Sequence, residues 1–121
     1  MFDNSRREVL SFIASMKKRE FKFESVEVYI FSPDEIDNAQ IGYSIDLKGN
    51  SLTGENKGDW KGAWLVIGHD LEVGDPIFVD LSSPNYPVFT AKHGLGYWEA
   101  VLLSESLSLF FTGSGLTNDI T

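Results

Sequence analysis

The side chains best suited to chemistry in this chain are two histidines and three aspartates in its C-terminal half. His69 and Asp70 are adjacent, Asp75 and Asp80 follow them, and His93 lies in a later turn. Imidazole and carboxylate groups that converge can hold a metal ion and support hydrolysis. A zinc site needs three or four ligands at fixed positions, and the chain contains no HxH or HExxH motif. We therefore expect no metal, with Asp75 and Asp80 accepting hydrogen bonds in turns and His93 holding its own turn.

Other catalytic signatures are also missing from the sequence. The chain has no cysteine, which excludes disulfides, thiolate metal ligands and cysteine nucleophiles. No serine lies in a nucleophile elbow, and the glycine-rich stretch GNSLTGENKG lacks the GK[ST] ending of a phosphate-binding loop. Acidic residues are too abundant for a carboxylate pair to be informative. We expect a protein that is not an enzyme and that binds no cofactor.

Three segments have the pattern of helices. In residues 6–18 apolar side chains recur at helical spacing, with Ser5 and Glu8 placed as a capping box. Residues 33–39 follow a capping serine, Ser32, and begin with a proline and two carboxylates, which is typical of a helix start. The third helix is predicted over residues 104–111, with Ser104 as its cap.

Alternating or β-branched segments separate these helices and predict strands. They cover residues 21–30, where the alternation changes phase near Glu24, and residues 41–45, 64–67, 77–81, around 88 and 98–103. Residues 48–62 contain four glycines and predict a mobile loop or loose hairpin. The sequence therefore predicts a single α+β domain over residues 1–121, with an antiparallel or mixed sheet of about five or six strands and about three helices mainly on one side.

Charge is distributed unevenly along the 121 residues, whose formal net charge is −8. Residues 1–24 hold six basic and four acidic side chains, and the remaining residues hold four basic and fourteen acidic ones. An anionic body repels phosphate backbones and anionic lipids, so we expect no direct binding of nucleic acid or membrane. Such a surface steers a basic protein partner, although acidity also serves solubility alone.

Apolar stretches are short in this chain. The longest one, residues 63–67, falls far below the roughly 20 residues that span a bilayer. No hydrophobic secretion signal follows the first methionine. Together with the absence of cysteine, these features predict a cytoplasmic protein.

The C-terminal half resembles the SUKH superfamily, the Smi/Knr-type domain of yeast cell-wall regulators and many bacterial immunity proteins. The resemblance lies in the order and spacing of a pattern that reads "iG…GDPiffDl…pV…HG…w", followed by an apolar last helix. The N-terminal half lacks the Leu-Pro and "nGG" turn that members usually carry. The matching residues are Gly68, Gly74, Asp75, Pro76, Ile77, Asp80, Leu81, Val88, His93, Gly94 and Trp98.

The resemblance implies a protein-binding module without enzymatic activity, most often an immunity protein that neutralises a cognate toxin. Many toxins paired with this family are nucleases with basic substrate-binding faces, which an acidic body would complement. A regulatory or scaffold domain is the alternative that the eukaryotic relatives suggest. A small metal-dependent hydrolase using His69 and His93 is an alternative of another class.

The candidate residues divide into a framework, which matches the family motif, and a binding surface, which loop position and charge indicate. Trp64 and Trp98 lie in strand patterns and are expected in the core, whereas Trp60 is either an exposed interface anchor or a ring folded back over the sheet. The predicted partner-binding surface comprises Glu55, Asp59, Trp60, Asp70 and Glu72. The predicted framework comprises Gly68, Gly74, Asp75, Pro76, Asp80, His93 and Gly94.

Overall fold

A six-stranded antiparallel sheet forms the centre of the molecule. The computed structural model of the chain describes residues 2–113. The strands are β1 (Glu20–Phe23), β2 (Val26–Ile30), β3 (Trp64–Asp70), β4 (Pro76–Asp80), β5 (Val88–Thr90) and β6 (Val101–Ser104). Their order in the curled sheet is their order in the chain, so β1 and β6 are the two edge strands. The predicted α+β class is therefore confirmed.

Three helices surround one face of this sheet. They are α1 (Asp3–Ala14), the short α2 (Ile36–Ala39), which continues a 3₁₀ turn at Pro33–Glu35, and α3 (Leu107–Gly113). Val9, Ile13 and Phe110 from the helices pack with alternate strand residues such as Ile67 and Ile77. We call this side the helix face. None of the helices in the described part of the chain is long and apolar enough to cross a membrane.

The opposite side of the sheet is also buried, and no predicted element accounted for this. Alternate residues of a strand point to opposite faces, so Val66 and Phe78 lie on the side away from the helices. Residues 40–63, here called the covering segment, pass over that side and contribute Tyr43 and Trp60 to a second core. We call this side the loop face.

Several predicted boundaries are wrong. Helix α1 begins at Asp3 and ends at Ala14, so Ser5 lies inside it rather than at its cap. Residues 41–45 form turns with an isolated bridge between Ile41 and Ile45, because no neighbouring strand is available to pair with them. Strand β6 starts only at Val101.

The cap predicted for the last helix is also displaced. Ser104 ends β6, and the hydroxyl of Ser106 accepts the Leu109 N–H at 3.0 Å at the start of α3. The glycine-rich stretch after Lys48 is held by isolated bridges. The small polar tail beyond residue 113 lies outside the described residues.

Antiparallel pairing places three connections at one end of the sheet. The register aligns Phe23 with Val26, Val28 with Asp70, and Thr90 with both Ile77 and Val101. The β1–β2 turn, the β3–β4 turn and the β5–β6 connection over residues 91–100 therefore meet at the same end. The covering segment and the β4–β5 turn leave from the opposite end.

Candidate interaction surfaces

Trp60 lies at the centre of the core on the loop face. Its side chain is 1% exposed, and its ring centroid lies 4.6 Å from that of Phe78. The rings of Tyr43, Trp64 and Trp98 surround it, with centroids at 5.1 to 5.2 Å. A buried ring is unavailable to a partner, so the assignment of Trp60 as an exposed anchor is wrong. The alternative, a tryptophan folded back over the sheet, describes its position.

Local contacts explain how the covering segment holds Trp60. The Gly54 N–H donates to the Trp60 carbonyl at 3.0 Å, and Asp59 Oδ2 accepts the Asn56 N–H at 3.0 Å. A Cβ atom on Gly54 would lie 2.2 Å from Asp59 Oδ2, so a larger residue there would displace the Asp59 carboxylate. The half-buried Asp59 is thus engaged inside its own loop, whereas Glu55 beside it is exposed.

A cleft of about 530 Å³ opens beside this aromatic core. Its apolar lining comes from Trp64, Tyr97 and Trp98, and the Trp98 N–H donates to the Gly58 carbonyl at 2.8 Å. This bond ties the β5–β6 connection to the covering segment. Trp64 and Trp98 are both half-buried, so each belongs partly to the core and partly to the cleft. The charged residues of the lining are Lys57, Asp59, Lys61 and Glu99.

Burial affects one phenol beneath the cleft. The ring of Tyr43 stacks near Trp98 with centroids 5.4 Å apart. Desolvation, followed by the negative charge of Asp75, raises the pKa of the Tyr43 hydroxyl above its ordinary value. Tyr43 is therefore an uncharged packing residue at neutral pH.

The end of the sheet where the three connections meet is acidic. Asp70 and Glu72 lie there in the β3–β4 turn, and the Leu71 N–H donates to the Glu27 carbonyl at 2.9 Å, which joins this turn to β2. Glu24 occupies the β1–β2 turn with a positive φ of 54°. We call this surface the acidic end; its carboxylates are Glu24, Glu27, Asp70, Glu72 and Asp75.

Two apolar side chains project from the same turn. Leu71 and Val73 are 41% and 59% exposed, and they alternate with acidic residues in the sequence DLEVGD. The Asp70 carboxylate accepts the Glu72 N–H at 2.6 Å and the Val73 N–H at 3.3 Å, which fixes the turn that presents them. The acidic end therefore presents two exposed apolar side chains, Leu71 and Val73, among its carboxylates.

The predicted partner-binding residues fall into two groups. Glu55, Asp59 and Trp60 belong to the covering segment, and Asp70 and Glu72 belong to the acidic end. Sequence reasoning missed Glu24 and Glu27, because only the strand register brings them beside Asp70 and Glu72. It also missed Leu71 and Val73, although apolar residues alternating with acids in a turn were a readable signal.

The framework residues take part in close packing and in turns. A Cβ atom on Gly68 would lie 2.2 Å from the Tyr29 carbonyl oxygen, so only glycine lets β2 and β3 approach there. Asp75 Oδ1 accepts the His93 backbone N–H at 3.2 Å and lies 2.6 Å from its Nδ1. Asp80 accepts the N–H and the hydroxyl of Ser82 at 2.9 and 2.6 Å. Pro76 opens β4, while Gly74 and Gly94 adopt positive φ values of 77° and 83°.

The two histidines do not assemble with carboxylates into a metal site. His69 packs its ring against Tyr29 and Phe31 and lies with Nδ1 3.0 Å from the Asp70 carbonyl oxygen, whereas His93 contacts Asp75. Among residues 2–113 no three His, Asp or Glu side chains are arranged to hold a metal ion.

Two surfaces with distinct chemistry are candidates for binding. The acidic end presents carboxylates around Leu71 and Val73, and the aromatic cleft lies beside β6. The acidic end is assembled from the β1–β2 and β3–β4 turns, and the cleft from the covering segment and the β5–β6 connection. Compared with models of protein families, with curated proteins and with solved structures, the chain matches none of them.

Proposed function

We propose that this chain is a non-enzymatic protein-binding module that binds a basic protein through the acidic end, and that it serves as an immunity protein against a toxin. The observation that supports the proposal is the position of exposed Leu71 and Val73 among five carboxylates. Apolar side chains that are exposed together and bordered by charge are typical of a protein interface.

The charges of the acidic end favour a basic partner. The three connections that form this end hold one lysine, Lys92, and Lys22 of β1 pairs in register with Glu27, so the five carboxylates outnumber the nearby lysines. Complementary charge raises the rate of association and excludes acidic competitors, while burial of Leu71 and Val73 supplies the affinity. A nuclease has a basic substrate-binding face, and the resemblance to the SUKH superfamily suggests that class of toxin. Occlusion of that face by the acidic end would block access of the nucleic acid.

Affinity capture from the native cells tests the proposal first. We expect one stoichiometric basic protein that is released only at high salt, because salt screens the attraction between charges. Expressed alone, that protein should arrest growth, and co-expression of the chain should restore growth. A partner that is harmless alone would favour a regulatory or scaffold role. Failure to find a basic partner across growth conditions would overturn the proposal.

Charge reversal then locates the surface. We expect Glu24→Lys combined with Glu72→Lys to weaken binding of the captured protein at least about tenfold, mainly through slower association at low salt. Asp3→Lys combined with Asp34→Lys is the matched control, because it makes the same change in net charge at two exposed residues away from the acidic end. Equal losses in the two variants would indicate an effect of net charge alone and would contradict the acidic end as the binding surface.

A further inference from the structure

Strand β6 is an edge strand without the usual protection of an edge. It pairs on one side with β5, and within the described chain no strand pairs with its other side. Val101 and Leu102 are 54% and 52% exposed, and the strand VLLS carries no charge or proline. An unpaired apolar edge is a template for the addition of another strand.

The other edge strand is protected in the ordinary way. Glu20 and Lys22 in β1 place charges along that edge, which disfavours strand addition. Phe21 and Phe23 of β1 also pack against the ring of Phe110 in α3, with centroids 5.6 and 4.7 Å apart. Because α3 packs against both edge strands, the charges of β1 are what distinguish the two edges.

The aromatic cleft lies directly before β6 along the chain. Tyr97, Trp98, Glu99 and Ala100 line it and lead into Val101, so a strand added to β6 would continue past the cleft. The Lys61 ammonium donates a hydrogen bond to the Asn56 carbonyl, and Lys57 also lines the cleft. Because charges of both signs border the aromatic rings, the cleft suits a large uncharged side chain better than a charged one.

Charge at the ends of β6 selects the occupant. Glu99 and Glu105 are exposed on either side of the strand; Lys57 and Lys61 share the cleft with Glu99, whereas no Lys or Arg follows Lys92 along the chain toward Glu105. An antiparallel pair of two β6 strands would bring Glu99 of one copy near Glu105 of the other, and facing like charges are destabilising. A segment with basic residues at its ends fits instead.

We propose that β6 and the aromatic cleft accept an extended segment of the basic partner by strand addition. Backbone hydrogen bonds to β6 would hold the segment, one aromatic or large aliphatic side chain would enter the cleft, and Lys or Arg residues would pair with Glu99 and Glu105. This inference rests on the proposed function, since it assigns a binding mode to the same basic partner.

Two synthetic probes test the binding mode. One is a nine-residue peptide of alternating valine and threonine with a central tryptophan and a lysine at each end, and the other has glutamates at its ends. At low salt we expect the lysine probe to bind at least about tenfold more tightly than the glutamate probe, by calorimetric titration. We also expect hydrogen exchange over residues 101–104 to slow when the lysine probe is bound. Equal binding of the probes, no binding of the lysine probe, or protection confined to the acidic end would overturn the inference.

Substitutions on β6 separate this inference from the proposed function. Leu102→Lys, and independently Val101→Lys, should weaken the lysine probe and the captured partner at least about tenfold, because a charge disfavours an added strand. Leu47→Lys is the control, since Leu47 is the most exposed large apolar residue of the covering segment. If both β6 variants keep the partner while the Glu24→Lys, Glu72→Lys variant loses it, the inference fails and the proposed function stands. A concentration-dependent dimer in light scattering that Leu102→Lys abolishes would assign β6 to a second copy and would also overturn the inference.

Discussion

Gln40→Ala should be among the most destabilising single substitutions in the covering segment. Gln40 is 4% exposed, and its amide replaces a missing strand beside β3. Its Nε2 donates to the Val66 carbonyl at 2.9 Å and to the Ile36 carbonyl at 2.8 Å, and its Oε1 accepts the Val66 N–H at 2.9 Å. Strand β2 separates from β3 after Phe31, so no backbone of β2 is available to pair with Val66.

The magnitude follows from the groups left without partners. Removing the amide leaves the buried N–H and carbonyl of Val66 unpaired, at about 1 to 3 kcal/mol for each group. We expect a loss of about 4 kcal/mol in the free energy of unfolding, which is a large part of the 5 to 15 kcal/mol typical of a domain. For a chain of this size the melting temperature should fall by roughly 15 °C.

Urea denaturation followed by far-ultraviolet circular dichroism measures the effect. The midpoint should fall with an unchanged denaturant slope. Asn38→Ala is the control, because Asn38 carries an exposed amide two residues earlier, on α2, and it should change stability by less than about 0.5 kcal/mol. Gln40→Leu keeps the volume without the hydrogen bonds. A loss below about 1 kcal/mol in that variant would refute the assignment of Gln40 as a strand substitute.

Three further substitutions test other parts of the structure. Trp60→Ala should cost about 3 to 5 kcal/mol in a urea titration, because it empties the second core, whereas Leu47→Ala should be nearly neutral; a fully stable Trp60→Ala protein would restore the exposed-anchor assignment. Gly68→Ala should lower stability by about 2 kcal/mol or more, since its Cβ would meet the Tyr29 carbonyl. Gly62→Ala, whose Cβ would have nothing within 4 Å, should leave the melting temperature in calorimetry nearly unchanged. Equal melting temperatures for the two variants would contradict the close approach of β2 and β3. Hydrogen bonds from the Ser32 N–H and then the Tyr29 hydroxyl hold the pKa of Glu35 below its ordinary 4.5, so the contribution of Glu35 to stability is full above pH 4.5 and is lost as the pH falls through the folded-state pKa. Glu35→Gln should therefore lower the melting temperature at pH 7, and the melting temperatures of the two proteins should converge in acid. A difference in melting temperature that does not depend on pH would contradict this.

The parts of the fold predictable from sequence are those with local signals. The hairpin of β1 and β2, the helix start at Pro33 and the strands around Ile67 and Ile77 follow from alternation, capping chemistry and turn residues. Each of these signals is contained within about ten residues of chain. Sequence patterning therefore predicted the helix face and the sheet well.

The loop face could not be predicted in the same way. Its burial depends on contacts between Trp60 and Phe78, which are 18 positions apart and share no periodic pattern. The alternation of residues 41–45 matches neither a strand nor a buried face, because Tyr43 packs in the second core whereas Ile41 is exposed. Tertiary contacts decide what covers this side of the sheet.

The candidate surface was predicted in part for a related reason. Asp70 and Glu72 were selected for charge and position in a turn, and they lie at the acidic end. Glu24 is 46 positions before Asp70, and the two are brought to one end of the sheet by the register of β1, β2 and β3. A surface assembled from three separate turns is visible only once the strand order is known.

All three tryptophans of the chain belong to one layer, which gives the protein a natural optical reporter. On the loop face the rings of Trp64 and Trp98 each lie with their centroids 5.2 Å from that of Trp60, and the core of the helix face contains no indole. Tryptophan fluorescence will therefore report on the covering segment and the cleft and will not report on α1 and α3. If the covering segment detaches before the sheet unfolds, the emission spectrum will shift to the red while the helical signal is still intact.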